Sequence, residues 1–86
     1  MAVLTLCDPA RRNVLSRAML TELRDRVTEL ARDPRIKCVI LAAQGPAFSA
    51  GHDLREVLAA SPEELVSLFA LCTAAMESIR KAPQAI

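Results

Sequence analysis

The run IKCVILAA, residues 36–43, contains a single charged residue in eight positions. A strand lying on one core needs apolar residues only at alternate positions. A nearly continuous apolar run predicts a strand covered on both faces, the usual situation in a parallel sheet. Parallel strands need a crossover, usually a helix, between them. The preceding residues supply both parts. AVLTLC (2–7) predicts a first strand, and Asp8-Pro9 with Asn13 predicts a turn. In VLSRAMLTELRDRVTELARD, residues 14–33, Leu15, Met19, Leu23, Val27 and Leu30 fall on one helical face. Ser16 is a plausible N-cap. Asp33-Pro34 stops the helix, because the residue before proline is pushed out of helical geometry. Strand, helix, strand make a βαβ unit, whose crossover should be right-handed. A second helix is predicted from Ser61 as N-cap, with Pro62 at its first position and Glu64 completing a capping box. Its apolar stripe is Leu65, Leu68, Phe69, Cys72, Met76 and Ile79, read as ordinary core. Lys81 and Pro83 end it. Ile86 looks like the first apolar residue of a further strand. The fold class is α/β.

The chain has 86 residues, room for one small domain. Hydrophobic residues make up 52% of it, with two Phe and neither Trp nor Tyr. That is more aliphatic surface than so short a chain readily buries. Either the core is unusually dense or part of this surface belongs against the rest of a longer chain or a partner subunit; we favour the second. The net charge is +1, and no basic stripe with interleaved aromatics suggests nucleic acid as a partner. The longest helical apolar stretch, Leu65 to Met76, is too short to span a membrane and is broken by Ser67 and Thr73. The opening MAVLTLC has no basic residue ahead of its apolar run, the wrong order for a secretory signal. Cys7, Cys38 and Cys72 are an odd, widely spaced set. This argues against a disulfide framework or a zinc site and for buried thiols in a reducing compartment.

Both glycines of the chain stand in AAQGPAFSAGHDL, residues 42–54, just after the apolar run. In open α/β units, ligands bind beyond the carboxyl ends of the strands. Gly45-Pro46 makes the turn that leaves the strand. Gly51 permits a backbone conformation or a close approach that a side chain would forbid. Asp53 caps a short helix starting near DLREVL, with the amides of residues 52–55 at its exposed start. A small-residue loop, Ser49-Ala50-Gly51, leading into such amides suits an oxyanion hole, which needs backbone N–H groups aimed where negative charge develops. The same residues also suit a plain strand-to-helix turn. His52, the lone histidine, invites a general-base role. Asp53 reads as a cap rather than a base, and Glu56, Glu63, Glu64 and Glu77 read as solvated surface or cap groups.

GPAFSAGHDLREV, with RRNVLSRAMLTEL before it and DPRIKCVILAAQG between, resembles the signature of the crotonase (enoyl-CoA hydratase/isomerase) superfamily. The match is collinear and covers essentially the whole chain, residues 1–86, as the N-terminal part of a single longer crotonase-like domain. It is most similar to the subgroup of enoyl-CoA hydratase domain-containing protein 3, whose members carry GHDL where many relatives carry GADL. The resemblance implies the ββα-spiral fold of that superfamily, of which only strand, helix, strand, loop and helix fall here. It implies that the backbone N–H of His52, placed by Gly51, is one of two oxyanion donors to an acyl-CoA thioester carbonyl, with a side chain that varies in the family. It further implies a substrate-binding set of Ala50, Asp53, Leu54, Arg55 and Arg12. Ala50 would approach the CoA adenine or linker, and Arg55 the CoA phosphates, with Arg11 or Arg12 doing likewise.

No metal or separate cofactor is implied, since coenzyme A arrives as part of the substrate. The intact protein is expected to be a homotrimer or hexamer, in the mitochondrial matrix or a bacterial cytoplasm. A mitochondrial relative would normally carry a presequence, and none is visible. The second oxyanion donor and the acid and base glutamates of the hydratases fall beyond Ile86. Three readings follow: an acyl-CoA hydratase or isomerase of fatty-acid metabolism, an acyl-CoA-binding scaffold without turnover, and a small α/β domain with an ordinary turn at 45–53.

Overall fold

The computed structural model describes all 86 residues. Strand β1 (Ala2–Leu6) pairs in parallel with β2 (Val39–Ala43), from Ala2 opposite Val39 to Leu6 opposite Ala43. Helix α1 (Arg17–Ala31) lies between them in sequence, so the βαβ unit is present. A short 3-10 turn covers Pro9–Arg11. Helix α2 (Leu54–Ala59) and helix α3 (Pro62–Lys81) follow β2.

The predicted caps form. The Ser16 hydroxyl accepts from the Met19 amide. Ser61 and Glu64 make a reciprocal capping box, satisfying donors that a helix start otherwise leaves open. Glu56 does more than sit in solvent: its carboxylate accepts from the Arg17 amide at 2.8 Å, so α2 caps the start of α1.

The core lies between α1 and α3, where Leu20, Leu68 and Ala75 are buried together and Leu15, Val57, Leu71 and Cys72 pack against them. Here the stripes shift from those expected. Leu20, absent from the expected α1 face, is fully buried, and Phe69 and Met76 of the expected α3 stripe are 47% and 41% exposed. The crossing of the two helices selects the small Ala75 as the contact and turns the larger neighbours outward.

β2 differs from expectation in two ways. It begins at Val39, because residues 33–36 are held in a turn by the Arg35 amide on the Asp33 carboxylate and the Ile36 amide on the Asp33 carbonyl. It is also covered on one face only. Leu6 and Val39 are buried, and a cleft of about 280 Å³ lies between Leu4 and Leu6 on β1 and Met19 and Leu23 on α1. The opposite face, with Val3 paired to Ile40, is open, 55% and 43% exposed. The molecule is a slab of 41 × 29 × 14 Å, too thin for a second layer on that side. The thiols are not buried either: Cys7, just past β1, is exposed, Cys38 and Cys72 are half-buried, and all three are free. Ala85 bridges Cys38 in parallel, and the Val39 amide donates to the Ala85 carbonyl, so a third line of pairing starts beside Ile86. No helix is long and apolar enough to cross a membrane.

Candidate functional site

Two loops leave the same end of the parallel pair, one after each strand, and a single side chain joins them. Asn13 is fully buried. Its amide nitrogen donates to the carbonyls of Gln44 and Ala47 at 2.9 and 3.0 Å, and its amide oxygen accepts from the Asp8 amide at 2.7 Å. Its own carbonyl accepts from the Ser49 hydroxyl, which in turn accepts from the Gly51 amide. Arg12 and Asn13 both have positive φ, 55° and 52°. Asparagine tolerates this left-handed geometry better than most side chains. Sequence reasoning took Asn13 only as a turn marker. The missed signal was an asparagine, able to bond both ways, beside a loop rich in backbone groups.

The glycines answer different demands. Gly45 has φ +86°, and a Cβ there would meet the Pro9 Cβ at 2.7 Å. It allows the two loops to touch. Gly51 has φ +87°, but nothing lies within 4 Å of where its Cβ would be. Within this chain Gly51 serves conformation, not close approach.

The consequence of that conformation is the direction of the next peptide. The Gly51 carbonyl accepts from the Leu15 amide at 2.7 Å, part of an isolated parallel bridge between Leu15 and His52. The chain has no cis peptide, so the His52 N–H points opposite to that carbonyl, away from Leu15. The His52 N–H donates to no group of the chain, whereas the Ala50 amide is taken by the Arg12 carbonyl and the Gly51 amide by Ser49. A free, directed donor therefore sits in a turn whose neighbouring amides are tied back.

Asp53 caps α2 as expected, accepting from the Arg55 amide. It is 7% exposed and ion-paired with Arg11. Burial works against its charge, yet the Glu56 amide, the Arg11 guanidinium and the Arg55 amide outweigh it and hold the carboxyl below the usual range. A cleft of about 600 Å³ opens here, lined by Arg11, Ala50, His52, Asp53, Leu54 and Arg55 among others. Five sequence-predicted residues thus share one surface. Gly51 shapes it from behind. Arg12 does not line it: its backbone holds Ala50, its side chain is exposed, and Arg11 takes the place in the cleft. The His52 imidazole turns toward α3, edge-to-face on Phe69 with centroids 5.5 Å apart. No three His, Cys, Asp or Glu side chains converge on a point that could hold a metal ion.

A family model described as enoyl-CoA hydratase/isomerase matches residues 1–84. The chain belongs to the enoyl-CoA hydratase/isomerase family. It is 40% identical over 81 residues to enoyl-CoA hydratase domain-containing protein 3, mitochondrial, of Rattus norvegicus, covering 93% of this chain and 27% of that protein. The crystal structure of a Mycobacterium smegmatis enoyl-CoA hydratase superposes with a TM-score of 0.88 at 45% identity, covering 95% of this chain and 33% of that one. The human enoyl-CoA hydratase domain-containing protein 3 structure gives 0.87 at 35% identity with the same coverage. The fold is the N-terminal portion of the crotonase fold, and this family chain spans about a third of the length of those relatives.

Proposed function

We propose that this chain contributes one half of an acyl-CoA site, in which the His52 amide donates to the thioester carbonyl oxygen and stabilises the enolate that forms there. The observation that carries the reading is the unengaged His52 N–H, aimed by the Gly51–His52 peptide beside a cleft with Arg11 and Arg55. An oxyanion donor of this kind is worth about 2.7–4 kcal/mol in the transition state. Arg11 and Arg55 offer charge-assisted contacts to the CoA phosphates. Ala50 presents backbone beside the CoA moiety, and Leu54 lines the same wall.

In the whole protein the reaction would be hydration, isomerisation or a related conversion of a fatty acyl-CoA, in a homotrimer or hexamer. The mitochondrial name of the rat relative supports a mitochondrial address for it, and the Mycobacterium smegmatis likeness a bacterial one. The chain alone supplies one donor and no acid–base pair, and hydration needs both proton-transfer groups positioned. The isolated chain is therefore expected to hydrate no crotonyl-CoA.

The test is calorimetric titration with acetoacetyl-CoA of the chain joined to the segment that follows the matched region in the rat relative. Binding is expected, and Gly51→Val is expected to abolish it while circular dichroism stays unchanged. Binding that survives Gly51→Val in a folded variant would remove the amide from the site. His52→Ala keeps the amide, so it should leave turnover of that joined protein within several-fold of normal. A loss beyond about a thousandfold, more than the loss of one oxyanion donor explains, would instead assign chemistry to the imidazole.

A further inference from the structure

The turn just described leaves one buried group unexplained. The His52 Nδ1 is buried and has no hydrogen-bond partner. Its ring touches Phe69 of α3 edge-on, at an interplanar angle of 74°. A buried imidazole nitrogen without a partner is costly, so a well-defined ring position here needs another source of order. Edge-to-face aromatic pairs are favoured beyond the area they bury, and they fix orientation. We propose that Phe69 is a positioning residue for the His52 amide, acting through the imidazole.

The geometry explains why a second fixed point is needed. The Gly51 carbonyl is held by the Leu15 amide, and Leu15 packs against the core. Ser49 ties the Gly51 amide and Arg11 anchors Asp53, but the Gly51–His52 peptide between them is held through its carbonyl alone and can still roll. The His52 side chain leaves that peptide toward α3, meeting Phe69, the residue next to the buried Leu68. Phe69 on the ring therefore blocks the roll, and the N–H direction becomes fixed. It also gives Phe69 a task at a position where the ring is only about half covered, too exposed for ordinary core packing. The proposal rests on the reading of His52 as a donor for its biological meaning, but not for its test.

The test is backbone ¹⁵N relaxation, without ligand, of the labelled joined protein used for the binding titration. A rigid backbone amide shows an order parameter of about 0.85 and a flexible one falls below about 0.6. In the parent chain the His52 amide should be rigid. Phe69→Ala should drop it into the flexible range while the amides of Leu20, Val27 and Leu68 keep their values, and Phe69→Tyr should restore it. His52→Ala should give the same loosening of residue 52, and adding Phe69→Ala to it should change nothing more, the non-additivity expected of one linked pair. A His52 amide unmoved by Phe69→Ala, loosening shared equally by the core amides, or additive effects in the double variant would each overturn the proposal. Failure of acetoacetyl-CoA to bind would overturn the oxyanion reading and leave these relaxation results standing.

Discussion

Asn13 decides whether the two loops meet. Its side chain satisfies one amide and two carbonyls across the gap, and its carbonyl holds Ser49. Asn13→Ala leaves those groups without partners in a buried place and puts a Cβ residue at φ 52° with no side-chain compensation. The expected loss is on the order of 3 kcal/mol, read as a lower urea midpoint at unchanged slope. The two glycines should separate by mechanism. Gly51→Ala meets no neighbour and should cost only the left-handed penalty, about 1–2 kcal/mol. Gly45→Ala carries the same penalty plus the contact with Pro9, so it should be the more destabilising of the pair. Equal midpoints for the two variants would refute that division. Both positions were visible in the sequence as glycines in a loop, but which one served contact and which conformation was not. The Gly45 answer depends on Pro9, 36 positions earlier, and no local pattern reports that pairing.

Among the elements, what was legible followed from short-range chemistry. Ser16, Ser61, Pro62, Glu64 and Asp53 are read correctly because a cap is a contact between residues two or three apart. Leu20 and Ala75 were missed because the crossing of α1 on α3 chooses among apolar positions that periodicity ranks alike. The length of β2 was overstated because the Asp33 turn competes for its first residues. Arg11 displaced Arg12 from the cleft for a similar reason: Arg12 takes left-handed φ at the end of the 3-10 turn, which sends its neighbour's guanidinium to Asp53. The start of α2 carries a pH prediction. The Asp53 carboxyl is held below its ordinary range in the fold, so the unfolded chain binds that proton more tightly. Stability from this group is complete above the unfolded value, near 3.9, and declines as pH falls through the folded one. Asp33, lowered to about 2 by Arg35, and Glu77, lowered by Arg80, act in the same direction. Asp53→Asn keeps a good cap but has no proton to gain. The parent and the Asn variant should therefore converge in stability as pH drops from about 5 toward 2. A separation of denaturant midpoints that does not change between about pH 5 and pH 2 would show that the Asp53 charge contributes nothing to stability.

The molecule as a whole is a thin sheet-and-helix slab whose apolar surface exceeds what it can hide. Val3, Ile40, Leu58 and Val66 are each more than 40% exposed. The sequence signalled this through its aliphatic excess but misplaced it. The continuous run at 36–43 implied a strand covered on both sides, and the open side is where Val3 pairs with Ile40. A flat, apolar, uncovered sheet face invites association with any similar surface. The isolated chain should therefore run as concentration-dependent oligomers or aggregate, seen by size-exclusion chromatography with light scattering. Val3 and Ile40 lie directly opposite each other, so Val3→Lys with Ile40→Glu places opposite charges across the strands, a pairing that parallel neighbours accept. Neither residue belongs to the Asn13 hydrogen bonds or to the Leu20 cluster, so the double variant should remain folded and move toward the monomer. If it stays as associated as the parent, the sticky surface is elsewhere, and the exposed Leu58 and Val66 beside the α2–α3 junction are where the next charges belong.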